Sequence, residues 1–195
     1  MSITLGVLEY YLIGINILGF ILYGINMLLY RYTENGQIDR VLTIVSFFGA
    51  SAGIILCILL FDRKSIKENM MSRVFVACVF VIQVVLYLFS KGQHGQEITF
   101  AFWKFFNENK ILVLYLLIIN VVTLVVFRVD KINAVEHRGR IRILTLLGLA
   151  FIGGSLGGLI AMYAFRHKTK KDYFTVGIPL MMIMQAAVIF YLMNL

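Results

Sequence analysis

Charge-free apolar stretches dominate the chain: residues 10–30, 41–61, 143–165 and 174–195 each hold more than twenty positions without Asp, Glu, Lys or Arg. Two shorter runs, 74–89 and 111–127, have the same character. About 20 helical residues cross a hydrocarbon core of roughly 30 Å, and local thinning or flanking residues accommodate shorter runs. Lipid leaves no backbone group unpaired, and no run alternates polar with apolar as a membrane barrel strand does. The pattern therefore predicts an all-α integral membrane protein with six apolar helices.

Composition excludes the competing classes. Of 195 residues, 61% are hydrophobic and 14% charged, against roughly 25% charged in soluble domains. A soluble fold of this length needs a polar skin that these residues cannot supply. Cys57 and Cys78 lie inside apolar runs and read as small packed hydrophobes. The opening MSITLGVLEYYL has no basic n-region and carries Glu9, so the first run is expected to stay in the protein. Between the third and fourth runs, Phe100, Trp103 and Phe106 recur at helical spacing among Lys104, Asn107 and Glu108, which predicts a short interfacial helix.

Set against itself at a shift of 104, the chain matches without gaps from residue 11 to residue 87. Tyr11, Leu12, Ile15 and Asn16 fall on Tyr115, Leu116, Ile119 and Asn120; Gly49, Ser51 and Gly53 fall on Gly153, Ser155 and Gly157. Phe61-Asp62-Arg63-Lys64-Ser65 falls on Phe165-Arg166-His167-Lys168-Thr169. This reads as a duplicated three-segment unit: a first repeat at 1–90, an interfacial linker at 91–110 and a second repeat at 111–195. The copies are unequal in charge, with six Lys/Arg and five Asp/Glu in 1–90 against ten and three in 110–195.

The second copy resembles a known family. Asn120, Phe127, Asp130-Lys131, Ala134 and Arg140-Ile141, then Gly153-Gly154-Ser155 with Gly157, then Phe165-Arg166-His167-Lys168-Thr169 with Lys171 and Phe174 are similar to the bacterial membrane family catalogued as domain of unknown function 1294. The resemblance covers about 80 residues and departs from the family pattern at Arg142-Ile143, where Pro-Glu is usual. The first copy is a degenerate version, with Asn26-Met27 in place of Asp-Lys. The resemblance implies a location in the bacterial cytoplasmic membrane and no assigned reaction.

Two topologies compete. If all six runs span, the copies are inverted repeats of the kind transporters use, and Lys/Arg divide nine against nine between the two sets of loops. If the glycine-rich second run of each copy is a re-entrant hairpin turning at Gly49–Gly53 and Gly153–Gly158, the division is fifteen against three, a strong inside bias. The GxxxG spacings favour spanning helices with smooth contact stripes, and six spans is the expectation adopted.

Chemistry is thinly signalled. Asn120 shares a helix face with Lys131, and Arg166-His167-Lys168 offers a planar fork, a titratable imidazole and a point charge. The candidate ligand site is Asn120, Asp130, Lys131, Arg166, His167 and Lys168, for an anionic small molecule or lipid headgroup, with Asp130 as counter-ion to Lys131 or Arg166. Solvated, lipid-touching loops and interhelical Asn contacts explain the same residues more plainly. No catalytic residue, metal site or cofactor is predicted: His94, His137 and His167 are scattered, and no nucleophile motif occurs. The net charge of +8 lies in short juxtamembrane loops, so anionic membrane lipid is the expected partner and nucleic acid is not. The leading reading is a non-enzymatic membrane protein. A transporter of inverted repeats and a membrane enzyme acting on a phosphorylated or lipid substrate are the alternatives.

Overall fold

A computed structural model describes residues 6–32, 38–62, 70–92 and 98–195. Among them the regular elements are helical: α1 (Val7–Tyr32), α2 (Asp39–Val45), α3 (Ser51–Phe61), α4 (Met70–Ser90), α5 (Phe102–Glu108), α6 (Lys110–Val135), α7 (Ile143–Leu149), α8 (Ser155–Ala164), α9 (Asp172–Thr175) and α10 (Gly177–Met193). Six helical segments are long and apolar enough to cross a membrane: Val7–Tyr30, Asp39–Phe61, Met71–Ser90, Lys110–Val135, Ile143–Ala164 and Asp172–Met193. The chain is thus a multi-pass membrane protein by the length and hydropathy of its helices. Large apolar side chains stand exposed along α6, among them Leu114, Leu117, Ile118, Val121 and Val125, a surface that hydrocarbon tolerates and water does not. The chain divides into two compact units, Met1–Val84 and Val85–Leu195.

In the first unit, α2 and α3 are separated by a wide π-type turn, Ser46–Ala50, in which Gly49 has φ 118°, a conformation that only glycine adopts without strain. Tyr11 near the start of α1 donates to the Phe48 carbonyl (2.8 Å), and Asn16 Oδ1 accepts the Gly53 N–H (2.7 Å). Toward the other end of α1, Asn26 Oδ1 accepts the Ile38 N–H (2.8 Å), while Asn26 Nδ2 and the Tyr30 hydroxyl both donate to Asp39. Tyr23 donates to Asp62 (2.8 Å), just beyond α3, and Arg73 of α4 pairs with the same carboxylate at 2.6 Å. Gln83 of α4 donates to the Ser46 and Phe47 carbonyls and accepts the Ser51 hydroxyl. Tyr23, Leu42, Ala50, Ile54, Cys57 and Val76 form the core; Cys57 and Cys78 are buried and free.

In the second unit, α7 and α8 flank the π-type turn Ala150–Gly154, with Gly153 at φ 135°. Tyr115 donates to the Ile152 carbonyl (2.5 Å), and Asn120 Oδ1 accepts the Gly157 N–H (2.7 Å). Gln185 of α10 donates to the Ala150 and Phe151 carbonyls and accepts the Ser155 hydroxyl. The turn thereby leaves few carbonyls unpaired in an apolar setting, where each orphan costs several kcal/mol. Phe127, Leu146, Ala150, Ala161, Met162, Phe174, Ile178 and Met181 are almost fully buried. Among the described residues of the predicted 91–110 linker a helix forms over α5, and Trp103 is 87% exposed on it. Just before α5, Thr99 exchanges two backbone hydrogen bonds with the Asn194 amide beyond α10 (2.6 and 3.2 Å).

Candidate functional site

The chemistry gathers at Asp130, five residues before the end of α6. Its side chain has no exposure, although aspartate is almost never fully buried unless paired. Three groups meet the carboxylate. Oδ1 accepts the Ile141 backbone N–H (3.0 Å), Oδ2 lies 2.7 Å from His167 Nε2, and Lys168 Nζ stands 3.4 Å away. Ile141 lies just ahead of α7 and His167 just after α8, so one carboxylate holds both ends of the apolar segment between them. The Ile141 N–H that it accepts belongs to the residue before the N-cap of α7, Arg142, which makes no side-chain cap of its own.

The loop that delivers His167 and Lys168 is held in an unusual shape. Arg166 and Lys168 have φ 46° and 64°, the left-handed region that costs a side-chain-bearing residue about 1–2 kcal/mol. The compensation is visible around Lys168. Its ammonium pairs with Asp130 and lies 5.7 Å from the centroid of the Phe174 ring, which packs edge-on against Phe127 with centroids 5.7 Å apart. Both rings are fully buried, so Lys168 is clamped between an apolar wall and a carboxylate. The loop leaves Arg166, Lys170 and Lys171 exposed.

Of the six predicted site residues, Asp130, His167 and Lys168 come together. Arg166 and Lys131 sit beside the cluster in sequence, and among the described residues neither forms an ion pair; Asp130, expected to be the counter-ion of Lys131 or Arg166, meets His167 and Lys168 instead. Asn120 is elsewhere. Ten residues earlier on α6, about 15 Å along the axis, it donates to the Leu116 and Gly153 carbonyls and accepts from Gly157. Its amide is spent on the turn. Of the first-copy residues aligned with the Arg166–Thr169 loop, Arg63, Lys64 and Ser65 lie outside the described residues, as does His94.

Gln83 and Gln185 are the polar residues that sequence reasoning missed. A glutamine inside an apolar run was the available signal, but the ungapped register sets Gln83 against Ala187 and hides the pair.

The family model described as "Protein of unknown function (DUF1294)" matches residues 120–174, a stretch that contains all six predicted residues. Uncharacterized protein YsdA of Bacillus subtilis (strain 168) is 38% identical over 79 residues, covering 40% of this chain and 89% of that protein. No solved structure matches the chain.

Proposed function

The chain belongs to the DUF1294 family through its second half, and on that premise we propose a non-enzymatic protein of the bacterial cytoplasmic membrane that binds an anionic lipid headgroup or small anion beside Asp130. The architecture we infer is a tandem pair of copies, the first degenerate, each made of two crossing helices around a re-entrant hairpin. The duplication is supported by bonds that recur 104 residues apart: Tyr11 to Phe48 and Tyr115 to Ile152, Asn16 to Gly53 and Asn120 to Gly157. In the last helix the shift falls to 102, so Gln83 and Gln185 perform one task.

The hairpins are supported by what each end of the segment touches. Near the C-terminal end of α6, Asp130 meets both Ile141 and His167, while the turn at Gly153 lies against Tyr115, Leu116 and Ile119, about three turns earlier. A straight 22-residue span would separate its two ends by about 30 Å. In the first copy, Asn26 and Tyr23 meet Ile38 and Asp62 in the same way. Two helices then cross per copy, which agrees with the fifteen-to-three charge division and makes the basic loops cytoplasmic. Single cysteines test this in a Cys57→Ser/Cys78→Ser background. Arg138→Cys and Lys170→Cys should both resist an impermeant thiol reagent in intact spheroplasts and both label after permeabilisation, whereas Asn109→Cys should label from outside. Labelling of Arg138→Cys and Lys170→Cys from opposite faces would restore six spans.

The binding reading rests on one observation: a fully buried carboxylate clamps the loop in a strained shape and leaves Arg166, Lys170 and Lys171 exposed around it. A loop that merely decorates a membrane surface needs no such clamp. The intramembrane amides, by contrast, are spent inside their own copies, Asn16 on Leu12 and Gly53, Asn120 on Gly153 and Gly157, which favours structural glue over a transport path. Each cation near an anionic headgroup contributes about 1 kcal/mol. The triple variant Arg166→Gln/Lys170→Gln/Lys171→Gln should therefore bind short-chain phosphatidylglycerol about 100-fold more weakly in detergent, with inorganic phosphate as the second ligand to separate headgroup from free anion. Equal affinity of the triple variant and the parent for both ligands would refute the site.

A further inference from the structure

We propose a second lipid site at the opposite end of α6: a groove between α5 and α6 that holds one acyl chain of an anionic phospholipid, its phosphate on Lys104 and Lys110. Trp103, Phe106 and Asn107 line one wall from successive turns of α5, and Val113 and Leu116 line the other from the first turns of α6. The lining is almost wholly apolar, and Asn107 alone brings an amide. Val113 and Leu116 belong to a helix long enough to span, so the groove opens toward hydrocarbon. Lys110 is about 30 Å along α6 from Asp130, which makes this site independent of the basic loop.

The occupant follows from the charges at the rim. Lys110 is exposed one turn before Val113, and Lys104 lies one turn before Asn107 on α5, residues three apart on one helix side being neighbours. Among the described residues Lys104 forms an ion pair with Glu108, at 4.0 Å with both side chains well exposed, a pairing weak enough for a phosphate to displace. Two cations above an apolar slot complement a phosphodiester above an acyl chain, and a zwitterionic lipid, which carries the same phosphodiester, adds a quaternary ammonium that the lysine pair repels. The segment that leads into α5 is anchored on the end of α10. Asn194 fixes the chain at Thr99, and Phe100 packs on Phe190 with centroids 5.3 Å apart.

Trp103 is the single tryptophan of the sequence, so its fluorescence reports the groove without engineering. In nanodiscs of unlabelled lipid doped with brominated phosphatidylglycerol, quenching should saturate at a low mole fraction. Brominated phosphatidylcholine should need roughly 25-fold more, about fivefold per lysine, and Lys104→Gln/Lys110→Gln should remove the preference. Both lysines are exposed, so this variant keeps the fold. Val113→Phe should fill the slot and abolish saturation with either headgroup, and Arg166→Gln/Lys170→Gln/Lys171→Gln should leave the quenching unchanged. Quenching that rises in proportion to the mole fraction, or that does not distinguish the headgroups in the parent protein, overturns the site.

Discussion

Replacing Asp130 with alanine is expected to destabilise the second unit by about 3–5 kcal/mol, the usual cost of removing one partner of a buried ion pair. Three groups lose their acceptor together: the Ile141 N–H, His167 Nε2 and the Lys168 ammonium. Lys168 is only 14% exposed, so its charge cannot recover full hydration where it stands. Asp130→Asn separates the contributions, because an amide oxygen can still accept from Ile141, as Asn26 does from Ile38. That variant should fall between parent and alanine. Adding Lys168→Met to it should recover part of the loss by removing the orphaned charge, and the resulting non-additivity measures the coupling. Thermal unfolding in a mild detergent is the measurement. A change in Asp130→Ala within about 0.5 kcal/mol, the range of an ordinary surface substitution, would mean that the cluster does not hold the loop.

Hydropathy made the six apolar segments legible because it reports length and polarity, which the described helices match within a few residues. It says nothing about direction. A run of 21 apolar residues is long enough to cross and also long enough to fold in half, so the contacts of Asp130 with both Ile141 and His167 were beyond its reach; the asymmetry of Lys and Arg was the one sequence signal that pointed there. The glycines show the same limit. The spacing lets Gly49, Gly53, Gly153 and Gly157 be contact stripes or hairpin turns, and the structure divides them: Gly49 and Gly153 sit at the bends with positive φ while Gly53 and Gly157 make the close approaches. Three of the six candidate residues, Asp130, His167 and Lys168, come together in the structure, and they were legible as polar residues beside apolar runs. The partner of Asp130 was not, since Arg166, His167 and Lys168 are adjacent in sequence and the left-handed turns at Arg166 and Lys168 decide which of them face inward. Asn120 resembles a ligand residue in sequence and proves to be bonded to the turn.

Gly157 supplies the sharpest test of that close approach. Its N–H donates to Asn120 Oδ1, and a Cβ built on it would stand 2.1 Å from the Asn120 carbonyl oxygen, with the carbonyl carbon at 2.8 Å. These are backbone atoms of α6, so no side-chain rotation relieves the contact; α8 must move away from α6, and the hydrogen bond from Gly157 to Asn120 lengthens as it does. Gly157→Ala should therefore cost at least the 1–3 kcal/mol typical of overpacking. Gly53→Ala should behave alike in the first unit, where the added carbon would meet the Asn16 oxygen at 1.9 Å. Gly148 is the internal control: it lies within α7 with nothing inside 4 Å of an added Cβ, so Gly148→Ala should be neutral or stabilising by up to about 1 kcal/mol through helix propensity alone. Loss of the close approach should also make Asn120→Ala and Gly157→Ala non-additive, because each breaks the same bond. Equal unfolding temperatures for Gly157→Ala and Gly148→Ala would show that α6 and α8 are not pressed together at Asn120, and would remove the support that this contact lends to a folded-back segment.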